Sequence, residues 1–194
     1  MPAKQRYNAQ MHRRSSIRLK SFDYNSPTEY FVTICTYERE CFFGEIQFGK
    51  MRLSQVGTIA RQCWMDIPDH FSNIELDEYK VMPNHVHGII RVLFRVGTRH
   101  AVSLHRQFSK PIRGSISTII GSFKSATTKI CHDVGIPEFA WQPRFHDHII
   151  RDQNDLNRIR KYIRDNVENW EMDEENPKVI QLLKNKQSKF EKST

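Results

Sequence analysis

The chain has 194 residues, of which 38% are hydrophobic and 27% are charged. This length and composition predict one globular domain with a buried core. The sequence contains no run of 18 apolar residues, which excludes a membrane-spanning helix. Residues 1–20 lack the apolar stretch of a secretory signal peptide, so we expect a cytoplasmic protein.

The cysteines argue against one class of metal site. The sequence has four of them, at Cys35, Cys41, Cys63 and Cys131, and no two form a C-x-x-C pair. A zinc ribbon needs such pairs. The scattered spacing therefore favours reduced thiols in a cytoplasmic protein.

The net charge of +8 is concentrated in two segments that contain no acidic residue, 1–20 and 95–113. Basic segments of this kind suit a polyanion, because each phosphate contact releases condensed counterions. The alternative is a solvated arm that has no partner. The candidate nucleic-acid contacts are Arg13, Arg14, Arg18, Arg99, Arg106, Lys110 and Arg113, together with Lys124 on a predicted helix.

Strand and helix patterns alternate along the chain. Segments rich in β-branched and aromatic residues predict strands. Apolar residues spaced by three and four predict helices. In chain order, we predict a strand (Glu29–Thr36), a short hairpin or loop (Cys41–Leu53), a helix (Ser54–Ile67), two strands joined by a tight turn (Asn73–Val81 and His85–Leu93), a long basic loop (95–113), a helix (Ser115–Cys131), a strand (Arg144–Arg151) and a helix (Asn154–Trp170).

The order β, α, β, β, α, β, α predicts a fold. It is the order of a ferredoxin-like α+β protein, in which helices pack on one face of an antiparallel sheet. We divide the chain into a basic N-terminal arm (1–20), a central domain (21–170) and a C-terminal tail (171–194) in which a further helix is an option. Fold alone does not give a function, so the site has to be argued separately.

Two histidines, His85 and His87, flank one hydrophobic residue at the start of a predicted strand. Side chains at i and i+2 of a strand leave the same face, about 6.5 to 7 Å apart at the backbone. This spacing lets two imidazoles share a metal ion, although paired histidines on a strand are often structural. His146 and His148 form a second pair with the same spacing, but the residue between them is an aspartate.

The last predicted helix carries a candidate nucleophile. Tyr162 and Asn166 are four residues apart, so they lie on the same face of the helix. They lie about 60 to 100° from the centre of its apolar stripe, at the border. If this border meets the histidine strand, one site holds two imidazoles, an amide oxygen and a phenol. Such a set can bind a divalent metal and offer a nucleophile.

Several sequence blocks, in order, resemble a known family. They are Tyr30-Phe31-Val32-Thr33-Ile34-Cys35-Thr36, Met82-Pro83-Asn84-His85-Val86-His87, Gly121-Ser122-Phe123-Lys124-Ser125, Trp141-Gln142, Asp147-His148-Ile149-Ile150-Arg151, and Tyr162-Ile163 with Asn166. These blocks resemble the single-tyrosine HUH transposases, which are relatives of small insertion-sequence transposases. The resemblance is strongest to the REP-associated tyrosine transposase branch.

The resemblance implies a metal-dependent strand-transfer enzyme that acts on single-stranded DNA carrying a hairpin or palindromic repeat, as a monomer or homodimer. His85 and His87 match the pair that ligates Mg²⁺ or Mn²⁺, and Asn166 matches the polar residue that completes the metal site. Tyr162 matches the nucleophile that forms a 5′-phosphotyrosine. The central domain (21–170) would then be the catalytic domain.

One departure from the family pattern carries a structural prediction. The family motif usually has a proline after the asparagine, whereas Val167 follows here. We therefore expect the helix to continue to Trp170. Trp141 is expected to be a packing residue rather than a platform for a base.

Two other functions are compatible with the residues. The first is a DNA-binding regulator that keeps the fold and the basic arm without the chemistry. The second is a hydrolase that uses a metal-bound water, in which Tyr162 would be dispensable. The presence of His85, His87, Tyr162 and Asn166 together favours the transposase, because a pure binding protein needs no nucleophile beside a metal.

Overall fold

The structure is a computed structural model that describes residues 28–93, 115–173 and 175–182. The predicted basic arm and basic loop lie outside these residues. The strands are β1 (Thr28–Cys35), β2 (Gly44–Gln47), β3 (Lys50–Leu53), β4 (Ile74–Val81), β5 (His85–Val92) and β6 (His146–Ile150), and the helices are α1 (Gln55–Met65), α2 (Ile67–His70), α3 (Ile116–Asp133) and α4 (Gln153–Asp165). In the predicted tail, residues 177–182 are helical, and the division into arm, domain and tail stays a prediction.

The helices begin where polar side chains cap them. The Ser54 hydroxyl accepts a hydrogen bond from the Gly57 amide at the start of α1, and Ser115 accepts one from Thr118 at the start of α3. These caps satisfy amide groups that have no partner within the first helical turn. Among the described residues, no helix has both the length and the apolar character needed to cross a bilayer.

Four strands form an antiparallel sheet in the order β4-β5-β1-β6. Together with the intervening helices, this sheet confirms the predicted α+β fold. Strands β2 and β3 form a separate hairpin, as the pattern of their segment suggested. In the central pair of the large sheet, β1 and β5, Thr33 lies opposite His87 and Cys35 lies opposite His85.

One face of the sheet packs against α1 and α3. Val86 and Ile90 of β5 point to this face and belong to the main hydrophobic core. Between them lies Gly88, whose missing side chain leaves room for the ring of Trp64 from α1. Phe123 of α3 packs edge-on against the same ring. This face is therefore filled by a core rich in aromatic residues.

Helix α4 packs on the opposite face, which differs from the prediction that the helices share one face. A second buried cluster joins its apolar stripe to the sheet, and it consists of Ile89, Ile150, Leu156, Ile159 and Ile163, with Phe31 beside them. The physical reason is that the two central strands carry apolar residues on both sides, so both faces must be covered.

Helix α4 also ends earlier than predicted, at Asp165 rather than at Trp170. The Asn169 side-chain nitrogen donates a hydrogen bond to the Asp165 backbone carbonyl, 3.1 Å away. The Asn169 backbone amide donates to the same carbonyl. A short 3₁₀ helix then follows at Trp170–Met172. The Glu168 amide bonds to the Asp165 carbonyl, only three residues back, so the last turn tightens from the α-helical to the 3₁₀ pattern. The chain therefore turns back toward the sheet.

The contact between Gly88 and Trp64 generates a stability prediction. A Cβ atom added at Gly88 would lie 2.2 Å from a carbon of the Trp64 ring, whereas one added at Gly121 meets nothing within 4 Å. We expect Gly88→Ala to lower the free energy of unfolding by about 1–3 kcal/mol through overpacking. Gly121→Ala should raise it by about 0.5–1 kcal/mol, because alanine favours the helix. Urea denaturation of both variants measures the difference, and equal stabilities would contradict the packing argument.

Candidate metal centre and nucleophile

His85 and His87 lie together at the start of β5, on the face that α4 covers. Their rings have centroids 4.3 Å apart, and the two residues are 0% and 2% exposed. The two side chains therefore lie on the same face of the strand, as predicted. Two buried imidazoles can lie this close only if their charge state and hydrogen bonds allow it.

A buried asparagine sets the tautomer of His85. The Asn84 side-chain nitrogen donates to the carbonyls of Arg39 and Glu175, at 2.9 and 2.7 Å. The Asn84 side-chain oxygen, 2.9 Å from His85 Nδ1, must therefore accept the proton of that nitrogen. The lone pair of neutral His85 is left on Nε2, which is buried without a hydrogen-bond partner.

Burial keeps both imidazoles neutral. It lowers the pKa of His85 well below the usual value, and the neighbouring His87 adds to this effect. Burial also lowers the pKa of His87 to about 3, against the opposing influence of a hydrogen bond with the Val32 backbone. A neutral imidazole is the form that ligates metal ions.

Helix α4 places Tyr162 beside the histidines. The Tyr162 hydroxyl lies 3.3 Å from His87 Nε2, and the two ring centroids are 5.2 Å apart. Thr33 Oγ1 lies 2.9 Å from the other nitrogen of His87. If that nitrogen donates to Thr33, His87 Nε2 carries the lone pair and accepts the Tyr162 hydroxyl proton. Tyr162 is 47% exposed, so its side chain lies partly at the surface.

Asn166 follows directly after the last residue of α4, one turn beyond Tyr162, and is 2% exposed. Its side-chain nitrogen donates to a carboxylate oxygen of Asp173, 3.0 Å away. Its side-chain oxygen is buried and has no hydrogen-bond partner. A buried oxygen in this condition is available to a cation.

Asp173 is a site residue that the sequence analysis did not find. Its carboxylate and one nitrogen each of His85 and His87 lie within 4.8 Å of one another, so this group could bind a metal ion. The turn after α4 brings it there. The only signal in the sequence is the acidic run from Glu171 to Glu175, which by itself indicates no particular position.

The second histidine pair does not form a comparable centre. His148 Nε2 is 2.9 Å from the Asp155 carboxylate at the start of α4. His146 lines a cavity of about 640 Å³ that also contacts His87, Tyr162 and Asn166. Of the described residues, only His85, His87 and Asp173 form a three-member group suited to a metal ion.

Among the predicted DNA contacts, only Lys124 lies within the described residues. It sits on α3, where its ammonium group donates to the backbone carbonyl of Gln142, and burial lowers its pKa. It lines a groove of about 730 Å³ beside Trp141. Trp141 packs against Phe43 and is 8% exposed, so it is the packing residue that was predicted. The other candidates, Arg13, Arg14, Arg18, Arg99, Arg106, Lys110 and Arg113, lie outside the described residues.

A solved structure of a REP-associated tyrosine transposase bound to a REP hairpin superposes on this chain with a TM-score of 0.52 and 19% identity, over 78% of this chain and 72% of that one. This chain has the REP-associated tyrosine transposase fold. The antiparallel sheet and its flanking helices match the fold of that transposase. No protein-family model matches the chain.

An "uncharacterized protein" of Haemophilus influenzae is 38% identical over 173 residues, which cover 87% of this chain and 96% of that protein. The chain belongs to the same family as this Haemophilus protein. The alignment is long enough to include nearly all of the relative.

The low pKa of His87 generates a pH prediction for the metal-free protein. An unfolded histidine takes up a proton below pH of about 6.5, while folded His87 stays neutral until about pH 3. Its contribution to stability is therefore complete above pH 6.5 and is lost progressively as the pH falls toward 3. When the pH is lowered from 7 to 5, we expect His87 to lower the free energy of unfolding by about 2 kcal/mol.

Urea denaturation at the two pH values measures this loss. His87→Gln has no proton to gain, so its stability should change less between them. His132→Gln is the matched control, because His132 is exposed and does not line the cavity beside Tyr162. An identical pH dependence in wild type and His87→Gln would contradict the assignment.

Proposed function

We propose that this protein is a metal-dependent transposase that cleaves and rejoins single-stranded DNA through a covalent bond to Tyr162. The observation that carries the proposal is the 3.3 Å separation between the Tyr162 hydroxyl and His87 Nε2, at the edge of a group suited to a metal ion. A phenol at the mouth of a metal centre is the arrangement that phosphoryl transfer to tyrosine needs.

The donor atoms fit a divalent cation. His85 Nε2 and Asn166 Oδ1 are buried polar atoms without hydrogen-bond partners, and both belong to residues that surround the Asp173 carboxylate. We assign His85, His87, Asn166 and Asp173 as the groups that would hold Mg²⁺ or Mn²⁺. When bound, such an ion would neutralise charge on the scissile phosphate. The buried Asn84 amide would hold His85 in the ligating tautomer, as outer hydrogen bonds commonly do in metal sites.

Tyr162 would be the nucleophile. A free tyrosine has a pKa near 10, so a phenol at neutral pH must lose its proton as its oxygen attacks phosphorus. The new bond joins the Tyr162 oxygen to the 5′ phosphate, the bond from phosphorus to the 3′ oxygen breaks, and that oxygen leaves as a protonated 3′ hydroxyl. One phosphodiester replaces another, so the hydroxyl of a second strand can reverse the step and join DNA.

Hairpin-containing single-stranded DNA is the substrate class that we infer. The solved transposase of the same fold is bound to a REP hairpin. In this chain, the acid-free segments 1–20 and 95–113 supply basic residues for phosphate contacts. We propose that Arg13, Arg14, Arg18, Arg99, Arg106, Lys110, Arg113 and Lys124 take part in these contacts. The cavity of about 640 Å³ beside Tyr162 would receive the nucleotides at the cleavage position.

The covalent step generates the first functional prediction. Wild-type protein incubated with Mn²⁺ and a labelled library of single-stranded hairpins should form a labelled adduct that survives a denaturing gel. Tyr162→Phe should lose this adduct entirely, because phenylalanine has no nucleophilic oxygen. Tyr37→Phe is the matched control, because Tyr37 is 49% exposed and Tyr162 is 47% exposed.

The other outcomes identify the competing functions. Cleavage that persists in Tyr162→Phe would indicate hydrolysis by a metal-bound water. Hairpin binding without any cleavage by the wild type would indicate a regulator.

The metal group generates a second prediction. Asp173→Asn should weaken Mn²⁺ binding by about 10- to 100-fold at pH 7, because a carboxylate ligand is replaced by a neutral amide. Asp165→Asn is the control, since Asp165 pairs with Lys161 along the exposed side of α4. Isothermal titration calorimetry measures both affinities, and circular dichroism checks the fold. Equal Mn²⁺ affinity in the two variants would remove Asp173 from the metal centre.

A further inference from the structure

Strand β4 contains an irregularity that faces α4. Its pairing with β5 shifts register between Leu76, opposite Ile90, and Tyr79, opposite Gly88. Between these two pairs the chain advances by three residues along β4 but by only two along β5. Strand β4 therefore carries one extra residue here. The two residues inside this bulge are Asp77 and Glu78. Neighbouring side chains in a regular strand point to opposite faces, and a bulge can redirect one of them.

Both bulge carboxylates bind arginines of α4. Asp77 accepts two hydrogen bonds from Arg160, from Nε at 2.9 Å and from Nη2 at 2.5 Å. Glu78 accepts one from Arg164 at 2.9 Å. Arg160 and Arg164 are one helical turn apart, so two adjacent strand residues hold two successive turns of the helix. We call these four residues the α4 clamp.

The clamp and the nucleophile lie on opposite borders of the same apolar stripe. Ile159 and Ile163 face the sheet, with Arg160 and Arg164 about 70 to 110° to one side of the stripe centre. Tyr162 lies roughly 90° to the other side. Any rotation of α4 about its axis that frees the arginines therefore moves the tyrosine hydroxyl relative to His87.

The apolar contacts alone leave this rotation weakly defined. The burial of apolar surface is not directional, so it specifies the rotation of a helix less sharply than a hydrogen-bonded ion pair does. A bidentate arginine–carboxylate pair is directional. The pair is also sheltered, because the side chains of Asp77 and Arg160 are 14% and 29% exposed. It is therefore stronger than a typical surface ion pair.

The surrounding charges support the clamp. Arg91 bonds to Glu29 and Glu75 on the two neighbouring strands and also approaches Asp77 at 3.6 Å. It is thus held in place by its own partners and adds positive charge beside Asp77. The hydrogen bond from Arg160 keeps the pKa of Asp77 below its usual value.

We propose that the α4 clamp, through Asp77 and Arg160, positions Tyr162 against His87 of the same chain. The proposal rests on the proposed transposase function, and it makes Asp77 and Arg160 positioning residues rather than catalytic ones. In consequence, a single chain assembles both the metal ligands and the nucleophile.

The test compares Arg160→Ala with Arg158→Ala. Arg158 lies on the same helix and is also ion-paired, but among the described residues the arginine itself pairs only with Asp155 of α4. In Arg158→Ala the bond between Asp155 and His148 of β6 can remain. The first readout is the NMR signal of the His87 ring in metal-free protein labelled in its histidines. Tyr162→Phe gives the position of this signal when the hydroxyl contact is lost.

We expect the His87 signal of Arg160→Ala to move toward the position in Tyr162→Phe, and that of Arg158→Ala to stay at the wild-type position. Asp77→Asn keeps the side-chain size, so it should reproduce the effect of Arg160→Ala. An unchanged His87 signal in both Arg160→Ala and Asp77→Asn would overturn the proposal.

The second readout is the rate of adduct formation at saturating hairpin DNA, well below the unfolding temperature of each variant. Arg160→Ala should slow it by about 10- to 100-fold, as expected for a misplaced nucleophile, with DNA affinity within about twofold of wild type. A normal rate at saturation with weakened DNA binding would make Arg160 a phosphate contact and overturn the proposal. If wild type forms no adduct, the proposed function fails, while the His87 signal still tests the clamp.

Discussion

The hydrogen bond between Asn84 and His85 is the interaction on which the geometry of the candidate metal centre depends. Asn84 is fully buried, and its amide nitrogen already serves two backbone carbonyls, one after β1 and one in the tail. Its oxygen can then only accept, which leaves the lone pair of His85 on the nitrogen that faces the site. The same three hydrogen bonds tie together the histidine strand, the segment after β1 and the turn that carries Asp173. The tautomer of His85 and the approach of the tail to the histidines thus both involve one buried amide.

The two faces of the sheet differ in composition because successive side chains of β1 and β5 point to opposite faces. On β5, Val86 and Ile90 join the aromatic core under α1 and α3, while His85, His87 and Ile89 face the other way. Helix α4 covers Ile89 and leaves a cavity beside the histidines. The stable core is therefore separated from the site by the thickness of one sheet. This arrangement lets the site hold buried polar groups, with their cost in stability, while the core on the far face compensates.

Local periodicity explains why much of the site could be predicted. The sharing of one face by His85 and His87 follows from the two-residue repeat of a strand, and the alignment of Tyr162 with Asn166 follows from the helical repeat. Strand and helix limits agree with prediction to within a few residues over most of the described chain. The exceptions are instructive. Helix α4 ends earlier than its sequence pattern predicted, and the apolar pattern of a central strand did not reveal which helix would cover which face.

Asp173 and the α4 clamp show where prediction from sequence stops. Asp173 is 86 residues from His87 along the chain, and no repeat relates the two positions. Asp77 and Arg160 meet only because a bulge in an edge strand turns toward a helix that follows much later. The sequence by itself determined the elements, the histidine pair and the candidate nucleophile, because covalent geometry repeats over short distances. Only the tertiary structure decided which acid approaches the histidines, which tautomer His85 holds and how α4 is oriented, because these depend on contacts between distant segments.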